Sequence, residues 1–215
     1  MSATIPGIRL IRRLSGDESA LALVEFGISL PVLLILGLVG LETANLALAR
    51  LKVSNIAMMT ADNAARVRDS IDESDVNDLF TGARTAGASI NFANNGRIIL
   101  SSIEMNAAGN GQWIRWQRCL GTKNVASAYG AQGKGQTDAS LQAVGPAGNQ
   151  ISAGSGTAIL VAEVNYTYQP LISNRFLGTQ TITYVSAFNV RQRTDQSLHN
   201  AASVAAYTCD KFTAT

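Results

Sequence analysis

The chain has 215 residues, 47% of them hydrophobic and 15% charged, with a formal net charge of +2. So slight a charge leaves no nucleic-acid footprint, and a single histidine beside two cysteines excludes a His-based triad or a multi-His metal site. Neither a P-loop nor a G-x-G-x-x-G following a strand occurs, and no cofactor is expected.

Residues 1–20 read as a basic leader, with Arg9, Arg12 and Arg13 ahead of the first acid, Asp17. Leu21 to Leu41 is interrupted only by Glu25, and Phe26 to Leu41 carries no charge. As a helix this stretch measures roughly 31 Å, close to the thickness of a bilayer core, so residues 21–41 are predicted to span a membrane. The basic flank places the N-terminus in the cytoplasm. Pro31 removes one backbone donor and predicts a bend, since membrane helices tolerate proline. A different reading of the same region is a secretory signal with Ala47-Leu48-Ala49 as its A-x-A site and a mature start at Arg50. Against it, the apolar core is longer than usual and Glu42 stands between core and cut.

Glu25 at the threshold of the span demands a reason, because an ionised side chain near hydrocarbon costs several kcal/mol on cautious scales. One reason is a snorkelling carboxylate at the membrane surface beside Arg12 and Arg13. Another is pairing with the free α-amino group of a neighbouring helix, which neutralises both charges.

A basic leader, then Ala22-Leu23-Val24-Glu25-Phe26, then an apolar helix with Pro31 six residues beyond the Glu, resembles the processed N-termini of type IV pilin-like proteins. More narrowly, it is similar to the TadE/TadG-like minor pilins of tight-adherence (Flp-type) pilus systems. The resemblance implies cleavage by a prepilin peptidase between Ala20 and Leu21, which makes Glu25 the fifth mature residue and creates the amine it would pair with. Ala20 stands where that family commonly has Gly, and Gly16 lies four residues too early to replace it. Phe26 matches the aromatic or apolar residue that follows the Glu. The implied partners are the membrane, the peptidase, other pilins or pseudopilins and the assembly machinery.

From 42 to 69 the helical pattern continues. Leu46, Ala49, Val53, Ile56, Thr60, Asn63 and Val67 recur at three- and four-residue spacing, and no Gly or Pro intervenes. This stripe is expected either to lie on the protein's own sheet or to serve as a seam for neighbouring helices. The acidic cluster Asp69, Asp72, Glu73, Asp75 and Asp78 reads as a turn and the solvated start of a short helix near Ser74, capped by Ser74 or Asp75, rather than a metal or acid-base site.

Residues 70–215 are expected to form one extracytoplasmic α+β domain. Strands are predicted at Arg97 to Met105, Trp113 to Cys119, Ala158 to Tyr168 and Gln180 to Val190, the last two as an antiparallel pair. The fold class is therefore α+β, a long N-terminal membrane-spanning helix continuing against an antiparallel sheet. The glycine-rich stretch from Gly121 to Gly156 reads as a long surface loop or disordered connection, with a ligand or partner contact as the functional alternative. Gly133-Lys134-Gly135 within it lacks the rest of a phosphate loop.

Cys119 and Cys209 should pair in an oxidising compartment. Closing so large a loop stabilises by about 4 to 5 kcal/mol as an upper figure; the alternative is two buried free thiols. His199 lies in a polar segment near the C-terminus, and a Cys nucleophile would need it. The whole reading is a non-enzymatic minor pilin or pseudopilin. Its rivals are an uncleaved anchored assembly factor and a membrane-tethered periplasmic binding protein.

Overall fold

The computed structural model describes residues 18–215, with the backbone alone for 18–20, 176 and 177; Arg9, Arg12, Arg13, Gly16 and Asp17 lie outside the described residues. Helix α1 runs unbroken over Glu18–Arg66, 49 residues with Pro31 inside it. Its first half is exposed on every face: Leu23, Phe26, Leu33 and Leu36 have no neighbours to cover them. A helix apolar all round and buried nowhere is a membrane-type surface. It is long and apolar enough to span a membrane, consistent with single-pass anchoring.

After α1 the chain turns at Asp69, whose φ of 58° is left-handed. It then forms β1 (Ile71–Asp72) and helix α2 (Glu73–Ala86). The cap of α2 is Asp72, two or three residues earlier than the sequence suggests. Its carboxylate accepts from the Ser74 N–H at 3.1 Å, while Asp75 accepts from the Asp72 N–H at 2.8 Å, a reciprocal capping box. A 3₁₀ turn (Ala88–Ile90) and α3 (Phe92–Asn95) lead into β2 (Gly96–Met105) and β3 (Gln112–Leu120). After a long connection come β4 (Ala158–Thr167), α4 (Asn174–Leu177), β5 (Thr181–Asn189) and β6 (Leu198–His199).

The main sheet has the order β3-β2-β4-β5, antiparallel throughout, with a register shift between Ser102 and Ile103. β1 and β6 form a separate parallel pair. Each predicted strand lies within two residues of its observed bounds, and β4 and β5 pair as expected, with Val164 opposite Tyr184 and Tyr166 opposite Ile182.

The outer half of α1 packs on one face of this sheet. Ala49, Val53 and Ile56 of the expected stripe are buried in one core with Leu100, Leu160, Ala162, Val164 and Tyr166, and Thr60 is buried on the side toward α2. Asn63 is exposed instead, and Ala57, Ala61, Ala64 and Ala65 join the core. Small residues let the helix backbone lie close to the sheet, so the buried face is wider than a stripe of large residues would show. Thr60 is buried without penalty because its hydroxyl donates to the Ile56 carbonyl at 2.8 Å. Residues 42–66 are thus part of the domain's core and not merely a stalk leading to residues 70–215.

The glycine-rich segment is not a loose connection. Leu141, Val144 and Ala153 form a second apolar cluster with Ile103, Ile114, Ile159 and Val161, covering the sheet face opposite α1. That explains why β4 is buried on both faces and shows no in-out alternation in burial. Gly133-Lys134-Gly135 edges β3: the Ile114 N–H donates to the Lys134 carbonyl at 3.0 Å and the Gly133 N–H to the Ile114 carbonyl at 2.7 Å. Gly135, at φ 80°, sits so near the Gln112 carbonyl that any side chain would collide with it.

Candidate functional site at the foot of the domain

Ala20 and Leu21 lie near the start of the described range of α1, Glu18–Arg66. Glu25 and Phe26 follow within two turns, both exposed, and the Glu25 carboxylate makes no hydrogen bond or ion pair among the described residues. Ala20, Leu21, Glu25 and Phe26 thus lie close together in the helix, far along it from the folded domain.

At the other end of the apolar span sits Glu42, whose importance the sequence does not reveal. Its side chain is fully buried. Tyr168 at the end of β4 donates its hydroxyl to Glu42 Oε1 at 2.6 Å, and the N–H groups of Leu171 and Ile172 donate to Oε2 at 3.1 and 2.9 Å. Asn45, one turn on, donates to the Tyr168 hydroxyl oxygen at 2.7 Å. A carboxylate holding several donors is stabilised in its charged form. Tyr168 above all, with the two backbone N–H groups, holds the Glu42 carboxyl below its ordinary value against the opposing effect of burial. Burial first, and then the Glu42 carboxylate, push the Tyr168 hydroxyl up to about 12. This clasp fastens the β4–α4 connection to α1 immediately after the last residue of the predicted span. One signal was available: Glu42 has no Lys or Arg three or four residues away on the helix, so its partner had to come from elsewhere in the fold.

Cys119 and Cys209 are bonded, with Cα atoms 4.8 Å apart. The bridge is one of several ties on the C-terminal strap. The Cys119 N–H donates to the Tyr207 carbonyl and the Gly121 N–H to the Thr213 carbonyl, both at 2.8 Å. Arg97, also buried, donates to the carbonyls of Gly121, Cys209 and Lys211 at 3.0, 2.6 and 3.1 Å and lies 4.2 Å under the Phe212 ring. The strap thereby covers the β3 edge of the sheet, which would otherwise present unpaired backbone groups.

Two other charged groups fill structural roles. Glu73 is not solvated, contrary to the reading of the acidic cluster: it is buried and accepts from Arg118 Nε at 2.9 and 3.0 Å and also from Arg118 Nη2. Glu163, on the face of β4 away from α1, is pushed up by burial although Ser127 and the Ala128 N–H, the latter at 2.8 Å, donate to it. His199 forms an exposed pair with Asp195 at 2.8 Å. Among the described residues no group of three or more His, Cys, Asp or Glu is arranged to hold a metal ion.

The fold and these sites define an α+β protein with one N-terminal helix able to cross a membrane, clasped to its domain at the helix's exit. No protein-family model matches the chain, and comparisons with curated proteins and with solved structures return no match.

Proposed function

We propose that this chain is a minor pilin or pseudopilin of the TadE/TadG-like kind, a structural protein of a tight-adherence pilus that acts in assembly, priming or tip presentation. The observation that carries the reading is the placement of Glu25. It is the fifth residue of the apolar helix counted from Leu21, exposed and without a partner among the described residues, where the α-amino group of a neighbouring processed chain could neutralise it. The unbroken 49-residue helix supports it too, since an apolar half left bare by its own domain is available first to lipid and then to other helices. On this reading the protein sits in a bacterial inner membrane with its N-terminus cytoplasmic and its disulfide-bonded domain periplasmic. Prepilin peptidase, other pilins and the assembly machinery are its partners.

Intact mass and N-terminal sequencing of protein from its native membrane test the reading. A start at Leu21 supports it. An uncut chain would mean a permanently anchored assembly factor, and a start at Arg50 a secreted protein. Glu25→Ala should leave membrane insertion intact and lower piliation; normal piliation in that variant would sink the role given to Glu25.

A further inference from the structure

Helix α1 has two long stripes, and its own domain uses only one. The buried stripe of Ala49, Val53 and Ile56 faces the sheet. On the opposite side a second stripe runs from Leu23 to Met58 at strictly alternating four- and three-residue steps, and every position on it is exposed. Past the span it continues as Leu41, Ala44, Leu48, Leu51, Asn55 and Met58. Leu48 and Leu51 are 58% and 62% exposed although they lie beyond the apolar segment. Within the span every face is apolar, so the register is read beyond it, where Ala44, Leu48, Leu51, Asn55 and Met58 keep the 3.5-residue repeat of a left-handed two-helix seam, from which a straight helix drifts about 20° per heptad.

We propose that two copies of this chain associate through this stripe, parallel and in register, with Asn55 paired across the two-fold axis. The charge pattern fits a second copy. Glu25 and Glu42 both fall off the a and d positions, and the Lys52 ammonium beside the seam is turned onto Ser89 of its own chain. The next seam position, Asp62, is held by Arg66 and Arg191 at 2.7 and 2.8 Å, which ends the stripe there. Positions a, d and g from Leu23 to Met58, with the e positions Val24, Pro31 and Leu38, supply about twenty residues a side, the low end of a standard interface; Asn45 and Lys52, also at e, are held within their own chain. Within lipid the leucines gain nothing from leaving water, but Gly27 and Gly37, with open space around them, allow close helix approach. Ala47 and Ser54 beside the seam border an open groove of about 740 Å³ between α1 and β5, so the sheet does not obstruct a partner helix.

Asn55 decides orientation and stoichiometry. It makes no side-chain hydrogen bond within the described chain, and a lone asparagine at an a position selects the in-register parallel pair, where it meets its own copy. Parallel alignment also follows from one membrane crossing in a common direction. The inference rests on the single-pass anchor and not on leader cleavage or entry into a filament.

The test uses the full chain, purified and reconstituted alone in phosphatidylethanolamine–phosphatidylglycerol vesicles, so that only a second copy can be captured. Leu48→Cys and Leu51→Cys should each give same-site disulfide dimers under mild oxidation, at least five-fold above Arg50→Cys on the flank. All three side chains point away from the domain core, and an intact Cys119–Cys209 bridge reports that each variant is folded. Equal yields at the three sites, or none, would overturn the proposal. So would preferential cross-linking between Leu48→Cys and Asn55→Cys chains when mixed, which marks a staggered packing. Asn55→Leu should convert a uniform dimer into a mixture with higher oligomers, read by light scattering in detergent; a strict dimer in that variant would overturn the role of Asn55. Piliation and N-terminal mass do not enter these readouts, so failure here is distinguishable from failure of the pilin reading.

Discussion

The two halves of α1 share one backbone and one period but answer to different solvents. From Leu21 to Leu41 the side chains are mostly apolar and left uncovered, and nothing in the folded domain depends on their shape. From Glu42 to Arg66 the face toward the sheet is rich in alanine and wholly buried, and there a single methylene matters. The contrast shows that helix continuity says little about how a helix is stabilised. Within a single chain the inner half is held to no shape by its own domain, whereas the outer half is specified by fit.

Substitutions can break that contrast or sharpen it. The largest effect should come from Cys119→Ser with Cys209→Ser. Opening a bridge across a separation of 90 residues should destabilise the domain by about 4 kcal/mol. Chemical denaturation of the domain should show the loss while the span stays inserted, as alkaline extraction of membranes would report. Next, Ile56→Ala should cost about 2–5 kcal/mol of domain stability by leaving a cavity, whereas Leu36→Ala, the same kind of truncation in the inner half, should stay within about 0.5 kcal/mol. Equal effects at the two positions would erase the distinction. Overpacking should follow the same divide: Ala61→Leu should cost about 1–3 kcal/mol, and Gly40→Leu, with nothing near its Cβ, should leave the unfolding midpoint unchanged.

The smallest effect belongs to the boundary itself. The Glu42 carboxyl lies below its ordinary value of 4.5 in the folded protein. Its contribution to stability is therefore present above that pH and lost as pH falls through the lowered value. Glu42→Gln keeps the shape, and its carbonyl can still accept from the Leu171 and Ile172 N–H groups, but it removes the charge and turns an amide donor toward the Tyr168 hydroxyl, which donates there in the native protein. Denaturation at pH 7 should show a less stable variant. The gap to the native protein should narrow toward pH 3, and a gap of constant width would remove the carboxylate charge from the clasp.

Several features were legible from residues alone. The apolar span, the four main strands and the continuation of the helix all rest on local periodicity, which neighbouring residues carry between them. The disulfide was legible because only two cysteines exist to pair. Other features were not. Glu73 reads as one of five acids at a helix start, and only Arg118, 45 positions away, makes it a buried ion pair. The stretch from Gly121 to Gly156 has few large apolar residues, yet Leu141, Val144 and Ala153 suffice to cover a sheet face once the chain brings them there. Of the candidate processing site, the register of Ala20, Leu21, Glu25 and Phe26 was visible in sequence; their isolation from the domain was not.

By itself, then, the sequence determined where the chain is apolar, where it is helical and where it alternates, since hydropathy and period are properties of adjacent residues. Tertiary structure decided which of the two helical stripes faces the sheet, which carboxylates are buried and what holds them. Those outcomes depend on partners far along the chain, 45 positions away for Arg118 and Glu73 and 126 for Tyr168 and Glu42. The stripe of small residues won the sheet because a close-packed interface favours close backbone approach, and the leucine stripe was left facing outward.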